Sequence, residues 1–237
     1  MEAVGARAFP HDRMFYSGMA LVAAAIVVIG FSSTFFLRSA SLPPLPQLLI
    51  VHGIVFSSWF ALFIVQTSLI AANRRDIHRK LGVVGACLAA AMVVLMVVAS
   101  VQSLRLGHTP LKGLDPRSFF AIPARDIVTF SILVSAAIFL RRHPESHKRL
   151  MILATIDIVD AAIARFPIDA IAAYGPPAFF GIQDTLIVAA LIYDFSTRGR
   201  VHPAYKWGAA LIILSQALCL AISGTLPWLA FADWVLG

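Results

Sequence analysis

Residues 81–104 read LGVVGACLAAAMVVLMVVASVQSL, Leu81 to Leu104, without one charged side chain. At a helical rise of about 1.5 Å per residue the stretch reaches roughly 36 Å, longer than the ~30 Å hydrocarbon core of a bilayer. Six more stretches of this kind flank it, at roughly Met14–Leu37, Pro46–Ala72, Phe119–Leu140, Leu150–Ala173, Ala178–Phe195 and Tyr205–Val235. The spacing predicts an all-α polytopic membrane protein, seven transmembrane helices forming a single domain over residues 1–237. Composition agrees: 59% of the residues are hydrophobic and 13% charged, and the mean hydropathy is +0.85. A soluble domain carries about 25% charged residues, so a soluble enzyme is excluded, and so is a disordered chain. The first stretch is too long for a signal-peptide core and reads as retained.

The formal charge of +7 and pI near 10.0 come from basic loops. Of the nineteen Lys and Arg, thirteen fall on segments that are cytoplasmic if the N-terminus is inside, five on the opposite side, and Arg165 within a stretch. The count includes Arg7 and Arg13 on one side and Lys112 and Arg117 on the other. This bias predicts an N-in, C-out orientation. It also makes membrane lipids the expected partners and argues against nucleic acid, since no basic domain lies outside the stretches. Trp207 and Trp228 are about 31 Å apart along a helix, matching the two interfaces where tryptophan collects. Pro227 is expected to break that helix and leave Trp234 along the outer surface. Cys87 and Cys219 lie in apolar runs and read as small hydrophobes. The longest connection, from Arg105 to about Arg117, contains Gly107, Pro110, Gly113 and Pro116 and reads as an irregular loop. Ile77-His78-Arg79-Lys80-Leu81-Gly82 and Ser146-His147-Lys148-Arg149-Leu150-Met151 open two stretches alike, a weak internal repeat.

Charges inside the stretches carry the functional signal, because a charged group in lipid is costly unless it faces the bundle interior. Counting in from the outer ends, His52 lies about 8 Å deep, Asp126 about 10 Å, Arg165 about 13 Å, Asp169 about 6 Å and Asp184, beside Gln183, about 9 Å. With Arg125 these groups form one predicted polar layer in the outer half. Arg165 and Asp169 are four apart and are expected to pair, with Pro167 between them kinking the helix. Asp157 and Asp160 lie deeper, about 60° apart around the axis, with no cation visible nearby. Ion pairing that merely fixes helix packing is the competing explanation of the layer. Asp194 and Asp233 read as interfacial without a role, and Trp59 and Tyr193 as packing residues.

The expected site is therefore a polar cavity for a small lipid-like or quinone-like ligand. Arg165, Arg125, Asp126, Asp169 and Gln183 would bind it. His52, Asp184 and Asp160 would exchange protons with it, His52 being the side chain suited to that near neutral pH. Alternatives are a b-type haem protein, a small transporter relaying protons through Asp157 and Asp160, and an accessory subunit without chemistry. Against transport, no inverted repeat with matched broken helices is legible. Zinc is a further option, with His52, Asp126 and Asp184 as permissible ligands. The closely spaced histidine pair that seven-helix zinc hydrolases carry on the last span is missing.

The histidines His78 and His147, opening the third and fifth stretches, resemble the cytochrome b561 type in placement, which implies a haem held between them. His52, however, lacks a histidine partner on the fourth stretch. The blocks His52–Trp59–Gln66, Ile77–Gly82 and Val201-His202-Pro203-Ala204-Tyr205-Lys206-Trp207-Gly208, with Gly224-Thr225, resemble an uncharacterised family of bacterial multi-pass membrane proteins. That resemblance implies a bacterial inner membrane and no activity.

Overall fold

A computed structural model describes residues 11–109 and 113–237. Arg7, Pro110 and Lys112, which entered the orientation and loop readings, lie outside the described residues. Six helices are long and apolar enough to cross a membrane: α1 (Asp12–Gly30), α2 (Gln47–Ala71), α3 (Arg75–Arg105), the run Pro116–Phe139, Pro176–Arg198, and Pro203–Ile222. The fourth of these runs comprises a short α4 (Pro116–Phe119) and α5 (Ala121–Phe139). The chain is a multi-pass helical membrane protein.

The fifth predicted stretch is no single spanning helix. It is cut into α6 (Pro144–Asp157), α7 (Asp160–Ile163) and α8 (Asp169–Tyr174), followed by α9 (Pro176–Arg198) and α10 (Pro203–Ile222). It is interrupted in two places. Pro167 lacks a donor and its ring clashes with the carbonyl four residues back, that of Ile163, where α7 ends. Upstream, the helix turns at Ile158 and Val159 and restarts at Asp160, whose carboxylate accepts from the Ala161 backbone N–H at 2.6 Å. A neighbouring helix supports the carbonyls at that turn: the Gln183 side-chain amide donates through Nε2 to Ile156 O at 2.8 Å and to Asp157 O at 2.7 Å.

This interrupted segment is the pillar of the bundle. Every residue from Ile152 to Asp160 is buried, on all sides of the helix, as expected of an element enclosed by other helices. It packs against α1, α5, α9 and α10. The surrounding helices expose large apolar side chains instead, among them Val28, Val83, Val94, Val188, Leu214 and Leu218. Such a surface is stable against lipid and not against water. Gly30 lets α1 cross the pillar: a Cβ there would stand 2.2 Å from the Ala162 backbone oxygen.

The last predicted stretch is also divided. Its helix ends at Ile222, and α11 (Leu226–Leu236) starts after a turn at Ser223–Thr225. The break falls just before Pro227, which occupies the first turn of α11. The new helix is pinned by the Trp228 indole donating to Arg117 O at 2.8 Å and by an Arg117–Asp233 ion pair at 3.2 Å. Trp234 is exposed, as the break implies.

Candidate functional site

Adjacent residues on α5, Arg125 and Asp126, meet the interruption of the pillar. The Arg125 guanidinium reaches Asp157 Oδ1 at 3.3 Å through Nη1 and Asp160 Oδ2 at 3.2 Å through Nη2. Nη2 also bonds Asp126. One turn along α5, the Thr129 hydroxyl donates to the other Asp157 oxygen at 2.5 Å. The Phe180 ring of α9 lies 5.0 Å from the guanidinium carbon, a cation–π contact. The four charged side chains are 0–9% exposed. Arg125 Nε is buried and has no hydrogen-bond partner among the described residues.

Asp157 and Asp160 thus have the neighbouring cation that linear reading did not supply. The predicted single layer is split. Of its members, Arg125 and Asp126 join the deeper pair Asp157 and Asp160 in a buried cluster, whereas Arg165 and Asp169 are exposed. Arg165 and Asp169 do not pair, because the chain leaves the helix between them and four-residue spacing no longer means one face. Arg165 instead donates to Ala161 O and covers the Phe31 ring, 4.5 Å from its centroid.

Gln183 and Asp184 take different roles from the expected ones. Gln183 is fully buried and caps the broken pillar, while Gln216 of α10 donates to Gln183 Oε1 at 2.7 Å and to Asp184 Oδ1 at 3.1 Å. Asp184, half-buried, shares the Gln216 amide with Gln183 and makes no bond to the clustered carboxylates among the described residues. His52 is half-buried, stacks on Phe56 at 4.0 Å, and its buried Nδ1 has no partner among the described residues. The field of Arg165 reaches it, but it makes no bond to the aspartates. Two hollows of about 320 Å³ each lie near the basic loops, one along Met14, Phe15, Gly18 and Tyr193 and the other along Phe139–His143. Neither is lined by the arginine–aspartate cluster.

No family model, curated protein or solved structure matches the chain.

Cofactor ligation turns on the histidines. His78 and His147 do meet: their ring centroids are 6.3 Å apart and their planes cross at 80°. His147 Nδ1 is 2.8 Å from Ala137 O, which turns the other ring nitrogen outward in the manner of a ligand held by its second hydrogen bond. Buried atoms beside this pair, His78 Nδ1 and Gln66 Oε1, lack partners among the described residues. His52, Asp126 and Asp184 form no such group, and among the described residues no three of His, Cys, Asp or Glu converge to hold a metal ion.

A second charge cluster, at the basic-loop end, escaped the sequence reading. Asp194, expected to have no role, is fully buried and paired. It accepts from Arg149 Nε at 3.1 Å, from Arg198 Nη1 at 3.2 Å and from the His202 backbone N–H at 2.7 Å. Arg149 also bonds Glu145 at 2.7 Å, and Lys148 bridges Glu145 at 2.6 Å to Asp12 at 2.7 Å. Tyr193 stacks on Phe15 at 3.8 Å and donates to Asp12 at 2.8 Å. Partial burial pushes the Glu145 carboxyl up, but hydrogen bonds from Lys148 and Arg149 outweigh it and leave its pKa below the ordinary value. Three cations face three carboxylates here, so this clasp is balanced; the cluster around Arg125 is not. The i,i+4 pairs Glu145–Arg149 and Asp194–Arg198 were the available sequence signal.

Proposed function

We propose that the chain is a proton-coupled membrane carrier, of the small-transporter kind, whose protonatable centre is the cluster of Arg125, Asp126, Asp157 and Asp160. One observation carries this reading: a single buried guanidinium is bonded to three buried carboxylates at the point where the central helix is broken. Three ionised carboxylates bonded to one guanidinium leave an excess of negative charge in a dry interior, which the more distant field of Arg165 on Asp160 only partly offsets, and unpaired charge there is far costlier than at a surface. A bound proton relieves that excess, and its gain or loss changes how strongly the two halves of the pillar are drawn to α5. Interrupted helices are the usual setting of coupling-ion sites in carriers, and ionisable residues at such depth are by default functional. Asp160, Asp126 and Asp157 hold the proton in this reading and Arg125 orients them. The proposed location is a bacterial inner membrane with the basic-loop end in the cytoplasm, supported by the asymmetry of Lys and Arg. Infrared titration of the carboxyl groups tests the proposal, as set out in the Discussion.

A second reading, haem-based electron transfer, is favoured by His78 and His147. Their rings lie 6.3 Å apart between centroids, and these two imidazoles would hold the haem iron. The residues fit a b-type haem, which would supply a one-electron redox centre near the basic-loop end. Purified protein supplemented with haem is expected to show a Soret band that His147→Ala abolishes; a wild-type sample without the band eliminates this reading.

A further inference from the structure

We propose that Arg165 is a binding site for the phosphodiester of a membrane lipid, on the face where α1 ends against the broken pillar. The inference does not rest on the proton-carrying cluster, although Asp160 of that cluster lies within electrostatic reach of Arg165. Arg165 is exposed, yet the surface around it is built for lipid: Val28, Ile29 and Ile168 are exposed beside the Phe31 ring on which its guanidinium lies. Among the described residues its hydrogen bond is to one backbone oxygen, that of Ala161, and no carboxylate pairs with it. Asp160, five residues upstream, is held by Arg125 at 3.2 Å. Asp169 makes no bond to it because the chain between them is not helical.

An arginine has five N–H donors in a planar fork. One carbonyl and one aromatic face leave most of that fork unsatisfied on a lipid-facing surface, where an unpaired charge is costly. A phosphodiester offers two oxygens at the spacing the fork matches, and carries the opposite charge. Lipid headgroups supply that group to a long side chain reaching up from the apolar region. A quinone or ketone carbonyl offers one oxygen and no charge, and suits the site less. Phe31 covers one side of the guanidinium, whose carbon is 4.5 Å from the ring centroid, and so limits the directions open to the remaining donors. The π-helical turn that follows, Ser32–Phe36, carries the chain out of α1 and leaves this ring facing Arg165.

The test uses the purified full chain in detergent, examined by native mass spectrometry with phosphatidylglycerol, with the uncharged galactolipid monogalactosyldiacylglycerol, and with inorganic phosphate as competitor. Wild type is expected to retain phosphatidylglycerol in preference to galactolipid. Charge-assisted hydrogen bonds to phosphate are worth a factor of about 10 or more in affinity, so Arg165→Gln is expected to bind phosphatidylglycerol about tenfold more weakly. Arg165→Lys, which keeps the charge and loses the fork, is expected to fall between them, and Asp169→Asn to bind as wild type does. Competition by millimolar inorganic phosphate would support the phosphate chemistry; binding of phosphate without phosphatidylglycerol would overturn the lipid as its source. Equal retention of the two lipids, or equal binding by wild type and Arg165→Gln with both folded by circular dichroism, overturns the proposal.

Discussion

Arg125→Met is expected to be the most damaging single substitution in the chain, with a loss of about 3–5 kcal/mol or failure to fold. The side chain it removes bonds Asp126, Asp157 and Asp160, none more than 9% exposed. Methionine fills similar space, so the effect isolates charge from packing. Asp157→Asn should behave in the opposite way. It removes one of two surplus carboxylates, leaves Arg125 with Asp126 and Asp160, and keeps an oxygen for Thr129. Its expected cost is within about 1 kcal/mol, the net worth of one hydrogen bond. Combining the two changes is expected to cost less than their sum, because the carboxylate removed is one that Arg125→Met would have stranded. Thermal unfolding in detergent reads all three. Equal, mild losses for Arg125→Met and Asp157→Asn would contradict a charge-coupled cluster. Where Arg125→Met yields no folded protein, Arg125→Lys supplies the comparison, with an intermediate loss expected from the missing fork.

Arg149→Met is expected to cost nearly as much, about 3 kcal/mol. Arg149 and Asp194 are both wholly buried, and Arg149 joins α6 to α9 through Asp194 and to its own first turn through Glu145. Asp194 keeps Arg198 and the His202 backbone N–H after the substitution, which sets the cost at the lower end of the range for a broken buried pair. This clasp also has a calculable pH sign. The folded pKa of Glu145 is lower than its ordinary value of 4.5. Its contribution is therefore present above that value and is lost as pH falls through the folded one. Wild type is expected to lose thermal stability in that acid window, and Glu145→Gln to show a smaller loss across it. Identical acid profiles would remove Glu145 from the clasp's energetics.

The spans were legible because lipid imposes a single requirement, an apolar run of sufficient length, that a linear sequence displays directly. Leu81–Leu104 could hardly be read otherwise. Arg125, Asp126, Asp157 and Asp160 stood out for the same reason, as charges where the solvent is hydrocarbon. Their partnership was hidden. Arg125 lies 32 residues from Asp157 and 35 from Asp160, and depth counted along ideal helices placed the two acids below the layer. The helix break moved them. Pro167 announced the lower half of that break, but the turn at Ile158 and Val159 contains no glycine or proline. It lies between two residues that Arg125 bonds from another helix, Asp157 and Asp160, a pairing that the linear sequence does not display. The same break separates Arg165 from Asp169. The part played by Asp194 was missed because counting from a helix end measures depth in the membrane and not enclosure by other helices; Arg149 of α6 reaches it from the side.

The central claim is that the cluster around Arg125 carries an exchangeable proton. The most direct measurement is infrared difference spectroscopy of the full chain in lipid vesicles, titrated with acid and base and recorded in both light and heavy water. The expected result is a protonated-carboxyl band that titrates, shifts on deuteration, and is lost or displaced in Asp157→Asn while the protein stays folded. A spectrum with no titrating carboxyl band in wild type, or one unchanged in Asp126→Asn, Asp157→Asn and Asp160→Asn alike, would contradict it and leave the cluster as a structural pin.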